Sequence, residues 1–295
     1  MKRICIVVMI LLLLAGCNAG EVDENREVVI GSKPMSEQYI LGEMLTALIE
    51  DRTDITVVRQ FGIGGGTSNL HPAVLSGEID MYPEYSGTGW LFVLSQEDFP
   101  ERDELYRRTR EMYLEEFDIH WFEAYGFDNT FTLALDENVA ADLGLETFSD
   151  LAQVSETMSF GAEFDFFERD DGFDALTETY GMTFSTVREL DIGLKYQAIA
   201  ADEVDVINAF STDGMLKEFG LTILEDDLGF FPTYLAGTII RAETLERYPE
   251  LDAVLRLLEG AISTEEMIEM NYQVDVLGEE PDDVAISFLR DKGLL

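Results

Sequence analysis

Between Glu27 and Tyr85 the sequence alternates two kinds of apolar run, and that alternation restricts the fold more than any other feature. Glu27–Gly31 (Glu-Val-Val-Ile-Gly) is short, β-branched and followed by a loop, which predicts a buried strand. Ile40, Leu41, Met44, Leu45, Leu48 and Ile49 then recur at helical spacing and define one apolar face. Ser36 is placed to cap that helix, with Glu37 and Gln38 in its first turn. Ile55 to Val58 reads as a second strand. After the glycine-rich loop Gly62–Thr67 come a helix from about Ser68 to Ser76 and a third strand from Ile79 to Tyr82. Strands separated by helices in this rhythm predict an α/β fold around a parallel sheet.

The rhythm is interrupted and then repeated. Glu101 to Phe117 reads as a charged amphipathic helix, and Trp121 to Phe127 as a strand or a crossover. Further strands are expected at Phe131–Leu135, Ser159–Ala162 and Val204–Phe210, with Ser149-Asp150-Leu151 opening a helix. Phe230–Tyr234 turns into Ala236–Arg241, and from Pro249 the pattern is helical to Leu295. The expectation is two α/β units around a central crossover.

The first residues carry an address. Lys2 and Arg3 precede an apolar run from Ile4 to Leu14, too short for a stable bilayer helix of about 20 residues. Leu14-Ala15-Gly16-Cys17 follows. Cys5 and Cys17 are the only cysteines of the chain, so a segment beginning at Cys17 has no thiol for disulfides or cysteine catalysis once Cys17 is modified. Asn18–Arg26 reads as a polar, acidic tether. The chain carries −41, and removal of Lys2 and Arg3 would bring it near −43. Nucleic acid and anionic lipid surfaces are therefore excluded as electrostatic partners. Disorder is excluded as well, because 46% of the residues are hydrophobic and spread along the chain. The reading is a solvated acidic surface over an ordinary core, suited to high salt or high pH.

Catalytic chemistry is thin. His71 and His120 are the only histidines, soft-metal ligands are missing, and no calcium-loop spacing occurs. The loop Gly62–Thr67 lacks both the Gly-Lys-Ser/Thr of a phosphate loop and the Gly-x-Gly-x-x-Gly spacing, so it reads as a tight turn. Aromatics stand out instead. Tyr82, Tyr85, Tyr125, Phe210 and Tyr234 sit at strand-to-turn junctions. Either they pack at strand ends, or several converge on a cleft able to enclose a quaternary ammonium group. Lys33 and Arg169 are rare cations at loops after strands of the two units; each serves either a salt bridge or a ligand.

The run of motifs resembles a known family. These are Gly31-Ser32-Lys33, Ser36-Glu37-Gln38-Tyr39-Ile40-Leu41-Gly42, Gly64-Gly65-Gly66-Thr67, Ser76 to Thr88, Tyr125 to Thr130, Arg169-Asp170-Asp171-Gly172, Ser211-Thr212-Asp213-Gly214, Glu225-Asp226-Asp227 and Phe230 to Tyr234. In this order they are similar to the substrate-binding proteins of glycine betaine, carnitine and choline ABC transporters. The resemblance implies a type II periplasmic-binding-protein fold, with two α/β lobes, a two-segment hinge and ligand in the interlobe cleft. Residues 26–122 with 236–295 would form the first lobe and 123–235 the second. It places an aromatic cage on Tyr85, Tyr125, Phe210 and Tyr234, and contacts for a ligand carboxylate on Lys33, Thr88 and Arg169. Phe210 departs from the family's usual Tyr. The Leu-Ala-Gly-Cys run resembles a lipobox, which implies a signal peptide over 1–16, lipidation at Cys17 and a tether over 17–25. The implied protein is a monomeric, extracytoplasmic, membrane-anchored binding protein rather than an enzyme. It needs no cofactor or metal and works with an ABC permease and its ATPase. A choline- or carnitine-preferring protein of the same type and a ligand sensor without a transport role are the alternatives.

Overall fold

The computed structural model describes residues 26–96, 98, 100–168, 172–191 and 194–295. Among these residues, ten strands form two five-stranded sheets. The first sheet contains β1 (Glu27–Gly31), β2 (Thr56–Gln60), β3 (Met81–Tyr85), β4 (Ile119–Trp121) and β10 (Ala236–Arg241), in the order β2-β1-β3-β10-β4. The second contains β5 (Phe131–Asp136), β6 (Ser159–Ala162), β7 (Thr186–Glu189), β8 (Val206–Phe210) and β9 (Leu221–Ile223), in the order β7-β6-β8-β5-β9. In each sheet the β-α-β run is parallel, and one antiparallel strand is inserted before the last position. That inserted strand follows a passage from the other sheet: β5 follows the outward crossing and β10 the return.

The helices used below are α1 (Ser36–Arg52), α2 (Thr67–Ser76), α3 (Arg102–Phe117), α4 (Thr264–Asp275) and α5 (Pro281–Asp291). The apolar face expected on α1 is completely buried, from Ile40 through Ile49. It packs into one core cluster with Val28, Ile30, Leu251, Leu258, Val284 and Leu289, so the C-terminal helices cover the first helix. The other face of the first sheet carries Trp90, Tyr82, Tyr113, Trp121 and Ile239. The second sheet has its own aromatic core around Phe148, Phe160, Phe166 and Phe231. No helix among the described residues is long and apolar enough to cross a membrane.

Two local expectations are corrected and a third is narrowed. Ser36 does not cap α1; it is the first helical residue and its hydroxyl donates to Asp275 of α4, while Met35 takes the cap position. The helix expected at Ser149 begins at Phe148, because Thr147 and Asp150 form a reciprocal capping box. Of the strand or crossover expected over Trp121–Phe127, the strand ends at Trp121 and the rest is crossover. Beyond Trp121 the chain is irregular but still follows β10, with Phe122 N–H donating to Thr238 and Tyr125 N–H to Ala236, each at 2.9 Å. The two crossings are tied at Asp128, whose carboxylate accepts Tyr234 N–H at 2.7 Å and the Thr233 hydroxyl at 2.6 Å.

Gly237 of β10 lies where a Cβ would stand 2.3 Å from the Tyr106 hydroxyl and 2.8 Å from the Trp121 indole nitrogen. Both rings are buried against that strand. Gly237→Ala is expected to cost about 1–3 kcal/mol of stability by overpacking, read from urea denaturation. An unchanged midpoint would show that the rings retreat freely.

Candidate functional site

A cavity of about 580 Å³ opens between the two sheets. From the body of the first sheet it is lined by Lys33, Glu37, Tyr85, Thr88, Asn271 and Asp275, among others. From the second come Phe131, Phe210, Thr212 and Asp213, and from the crossings Asn129 and Tyr234.

The positions follow from the local chain. Tyr85 ends β3, and the next residues turn into a short helix over Ser86–Thr88 that runs on into a π-helical turn over Gly89–Val93. This sets Thr88 beside Tyr85 at the cavity wall. Gly87 is required there, since a Cβ would stand 2.7 Å from the Tyr234 ring. Phe210 ends β8 and faces Phe131, the register partner that begins β5, with ring centroids 4.7 Å apart. Asp213 holds the end of β8 by accepting Phe210 N–H at 3.1 Å and the Tyr196 hydroxyl.

The structure therefore brings together Lys33, Tyr85, Thr88, Phe210 and Tyr234 of the residues singled out in the sequence. It separates Tyr125 from them. Tyr125 is 1% exposed, packs in the core shared by α1 and the first sheet, stacks on Phe127 and bonds Thr238 at 2.7 Å. The strand-to-turn position expected for Tyr125 does not hold, because β4 ends at Trp121 and the irregular crossing segment follows β10 and turns the ring inward. Phe131 supplies the remaining aromatic wall. The signal for Phe131 was present, because it opens a strand directly after a crossover. It was read only as a strand residue. Arg169 and Cys17 lie outside the described residues.

Two buried carboxylates at the site were also missed. Glu37, 2% exposed, accepts the Tyr85 hydroxyl at 2.6 Å, Asn129 Nδ2 at 2.9 Å and Asn271 Nδ2 at 3.3 Å. Burial raises its pKa above the ordinary 4.5, against the opposing pull of these donors and of Thr212. The same burial, with Glu37 beside it, pushes the Tyr85 hydroxyl well above 10, so it stays a donor. Glu84, completely buried, accepts from Thr67, Tyr82 and the Tyr85 backbone, and pairs with Lys33. The Lys33 ammonium also lies 4.6 Å from the Tyr85 ring centroid. The Oδ1 atoms of Asn129 and Asn271 are buried without a donor among the described residues.

Chemically, this is a box of aromatic faces with a cation, several hydroxyls and orphaned acceptors. Aromatic faces attract a cation that has no N–H to donate.

The raised pKa of Glu37 has a sign. A carboxyl whose folded pKa exceeds its unfolded value favours folding while protonated, and that contribution is lost as pH rises through the folded value. Glu37→Gln should therefore flatten the decline of melting temperature above pH 4.5. Parallel pH profiles for wild type and variant would refute this.

Comparison with known proteins places these features. The model of the substrate-binding domain of ABC-type glycine betaine transport systems matches residues 26–291. The chain is 43% identical over 271 residues to the ergothioneine transport permease/ergothioneine-binding protein of Helicobacter pylori (strain G27). That match covers 92% of this chain and 48% of the relative, so this chain spans about half the relative's length. It is 33% identical over 263 residues to the carnitine transport binding protein of Listeria monocytogenes, covering 88% of this chain and 85% of that one. The crystal structure of a glycine betaine/carnitine/choline ABC transporter protein superposes with a TM-score of 0.85 at 33% identity, over 90% of this chain and 99% of the other. With two sheets of matching strand order, a cavity between them and a family match over nearly all the described residues, the chain belongs to the family of substrate-binding domains of ABC-type glycine betaine transport systems.

Proposed function

We propose that this protein is the extracytoplasmic substrate-binding component of an ABC importer and captures a betaine, a solute with a trimethylammonium head and a carboxylate. The observation that carries the reading is the convergence of Tyr85, Phe131, Phe210 and Tyr234 on one cavity that also holds Lys33 and Thr88. Aromatic faces select the head, each at about 0.5–2 kcal/mol. Lys33 and Thr88, with Arg169, would meet the carboxylate. In this reading the two crossings act as the hinge, ligand draws the lobes together, and the closed form is what the permease receives. Lipidation at Cys17 would hold the protein at the membrane, and it acts as a monomer that binds without catalysis.

Glycine betaine and its small relatives are the first ligand class. A second reading, a larger betaine with N–H groups such as ergothioneine, rests on a specific observation. The Oδ1 atoms of Asn129 and Asn271, whose amide nitrogens are held by Glu37, have no donor among the described residues and form a pair of open acceptors. Glycine betaine has no donor to offer them, whereas the thio-imidazole ring of ergothioneine has N–H groups. Buried acceptors without donors are costly. The cavity of about 580 Å³ also admits a ligand larger than glycine betaine.

Titration calorimetry with glycine betaine, carnitine, choline and ergothioneine tests both readings. Binding of no quaternary amine at millimolar concentration would remove the proposal. Phe131→Ala and Tyr85→Ala are each expected to weaken the bound ligand about tenfold, whereas Tyr125→Phe should leave affinity unchanged. If the ligand is the larger betaine, Glu37→Gln weakens ergothioneine far more than glycine betaine; equal losses favour the small ligand.

A further inference from the structure

Lys33 is the only base among the described residues that line the cavity, where Glu37, Asp213 and Asp275 are the acids. Its charge is nevertheless engaged. The ammonium is bonded to Glu84 while its side chain keeps 12% exposure, against 0% for Glu84. Glu84 cannot follow Lys33 into the cavity. One oxygen accepts the Thr67 hydroxyl at 2.7 Å and the Tyr82 hydroxyl at 3.0 Å, and the other accepts the Tyr85 backbone N–H at 2.7 Å. A carboxylate held by three neutral donors and one cation is fixed in place.

Lys33 also stands over the Tyr85 ring, and both line the cavity that a quaternary ammonium head would enter. Two cations in one cavity repel each other. Glu84, directly behind, offsets that repulsion and at the same time reduces the pull of Lys33 on an anionic ligand group.

We propose that Glu84 is a specificity-determining positioning residue: by holding Lys33 against the Tyr85 ring and balancing its charge, it sets the preference of the site between a zwitterionic betaine and a plain quaternary cation. The proposal rests on the reading of the cavity as a quaternary-ammonium site.

The charges predict opposite shifts from the two ends of the pair. Glu84→Gln keeps a hydrogen-bond acceptor for its neutral partners but leaves the ammonium unbalanced. That repels a cationic head and attracts a carboxylate. Lys33→Met keeps the apolar stem, removes the carboxylate partner and leaves Glu84 unbalanced, which favours a cation.

The test is calorimetry of wild type, Glu84→Gln and Lys33→Met with glycine betaine and with choline, which share the head and differ at the other end. Lys33→Met should tighten choline and weaken glycine betaine, moving their affinity ratio about tenfold toward choline. Glu84→Gln should move the ratio the other way by about threefold or more. A purely structural role would weaken both ligands alike. That result, or a shift of both variants in one direction, overturns the proposal. If Glu84→Gln lacks a cooperative melt, Lys33→Met decides alone: tighter choline supports the proposal and weaker choline overturns it. Wild-type protein that binds neither ligand overturns the proposal before any variant is made, and if it also fails to bind ergothioneine the reading of the cavity as a quaternary-ammonium site falls with it.

Discussion

Tyr85 is pinned at both ends by buried carboxylates, and the surrounding structure is arranged to make those two groups tolerable. Its backbone N–H meets Glu84 and its hydroxyl meets Glu37. A buried carboxylate is costly unless several donors surround it. The donors come from different elements: Lys33 after β1, Thr67 at the start of α2, Tyr82 on β3, Asn129 on a crossing and Asn271 on α4. Satisfying two acids thus gathers the parts of the chain that wall the cavity. Hydrophobic burial assembles each lobe, but it does not specify this meeting point.

The rest of the charge is handled differently. The chain carries −41 with 19 basic residues, and many of the bases make exposed pairs such as Arg107–Glu111, Arg256–Asp252 and Lys292–Glu266. Exposed pairs contribute little stability and weaken in salt. Most acids face water, so their mutual repulsion is relieved by counter-ions rather than by partners. The two lobes keep ordinary apolar cores, with aromatic clusters around Phe160 and around Tyr113. Net charge therefore bears on solubility and on the field a cationic head meets on approach, and says little about the fold.

Periodicity made much of the architecture legible. Ile40 to Ile49 announced α1, and the β-α-β alternation announced a parallel sheet. Both are properties of neighbouring residues. The insertion of β10 between β3 and β4 was not legible, because it depends on pairing across more than a hundred residues. Tyr125 and Phe131 show the same limit within the site. Both are aromatics close to a crossover, and only the path beside β10 decides which ring turns into the core. Glu37 and Glu84 were hidden by composition: among 60 acids, two buried ones carry no distinguishing mark. Ser36 was misread because its hydroxyl prefers a long-range partner on α4 to its own helix.

The insertion of β10 also dictates an order of assembly. The second sheet is encoded continuously, from Phe131 to Ile223. The first remains open until Ala236–Arg241 has arrived, and the apolar face of α1 stays uncovered until α5 at residues 281–291 exists. The half of the molecule that comes first in the chain is therefore finished last. Its contacts join residues 36–52 to residues 281–291, which makes them slow to form and raises their dependence on synthesis of the intervening chain. A nascent protein of this topology carries a sticky, unfinished first sheet until residues 281–291 have been made and cover it.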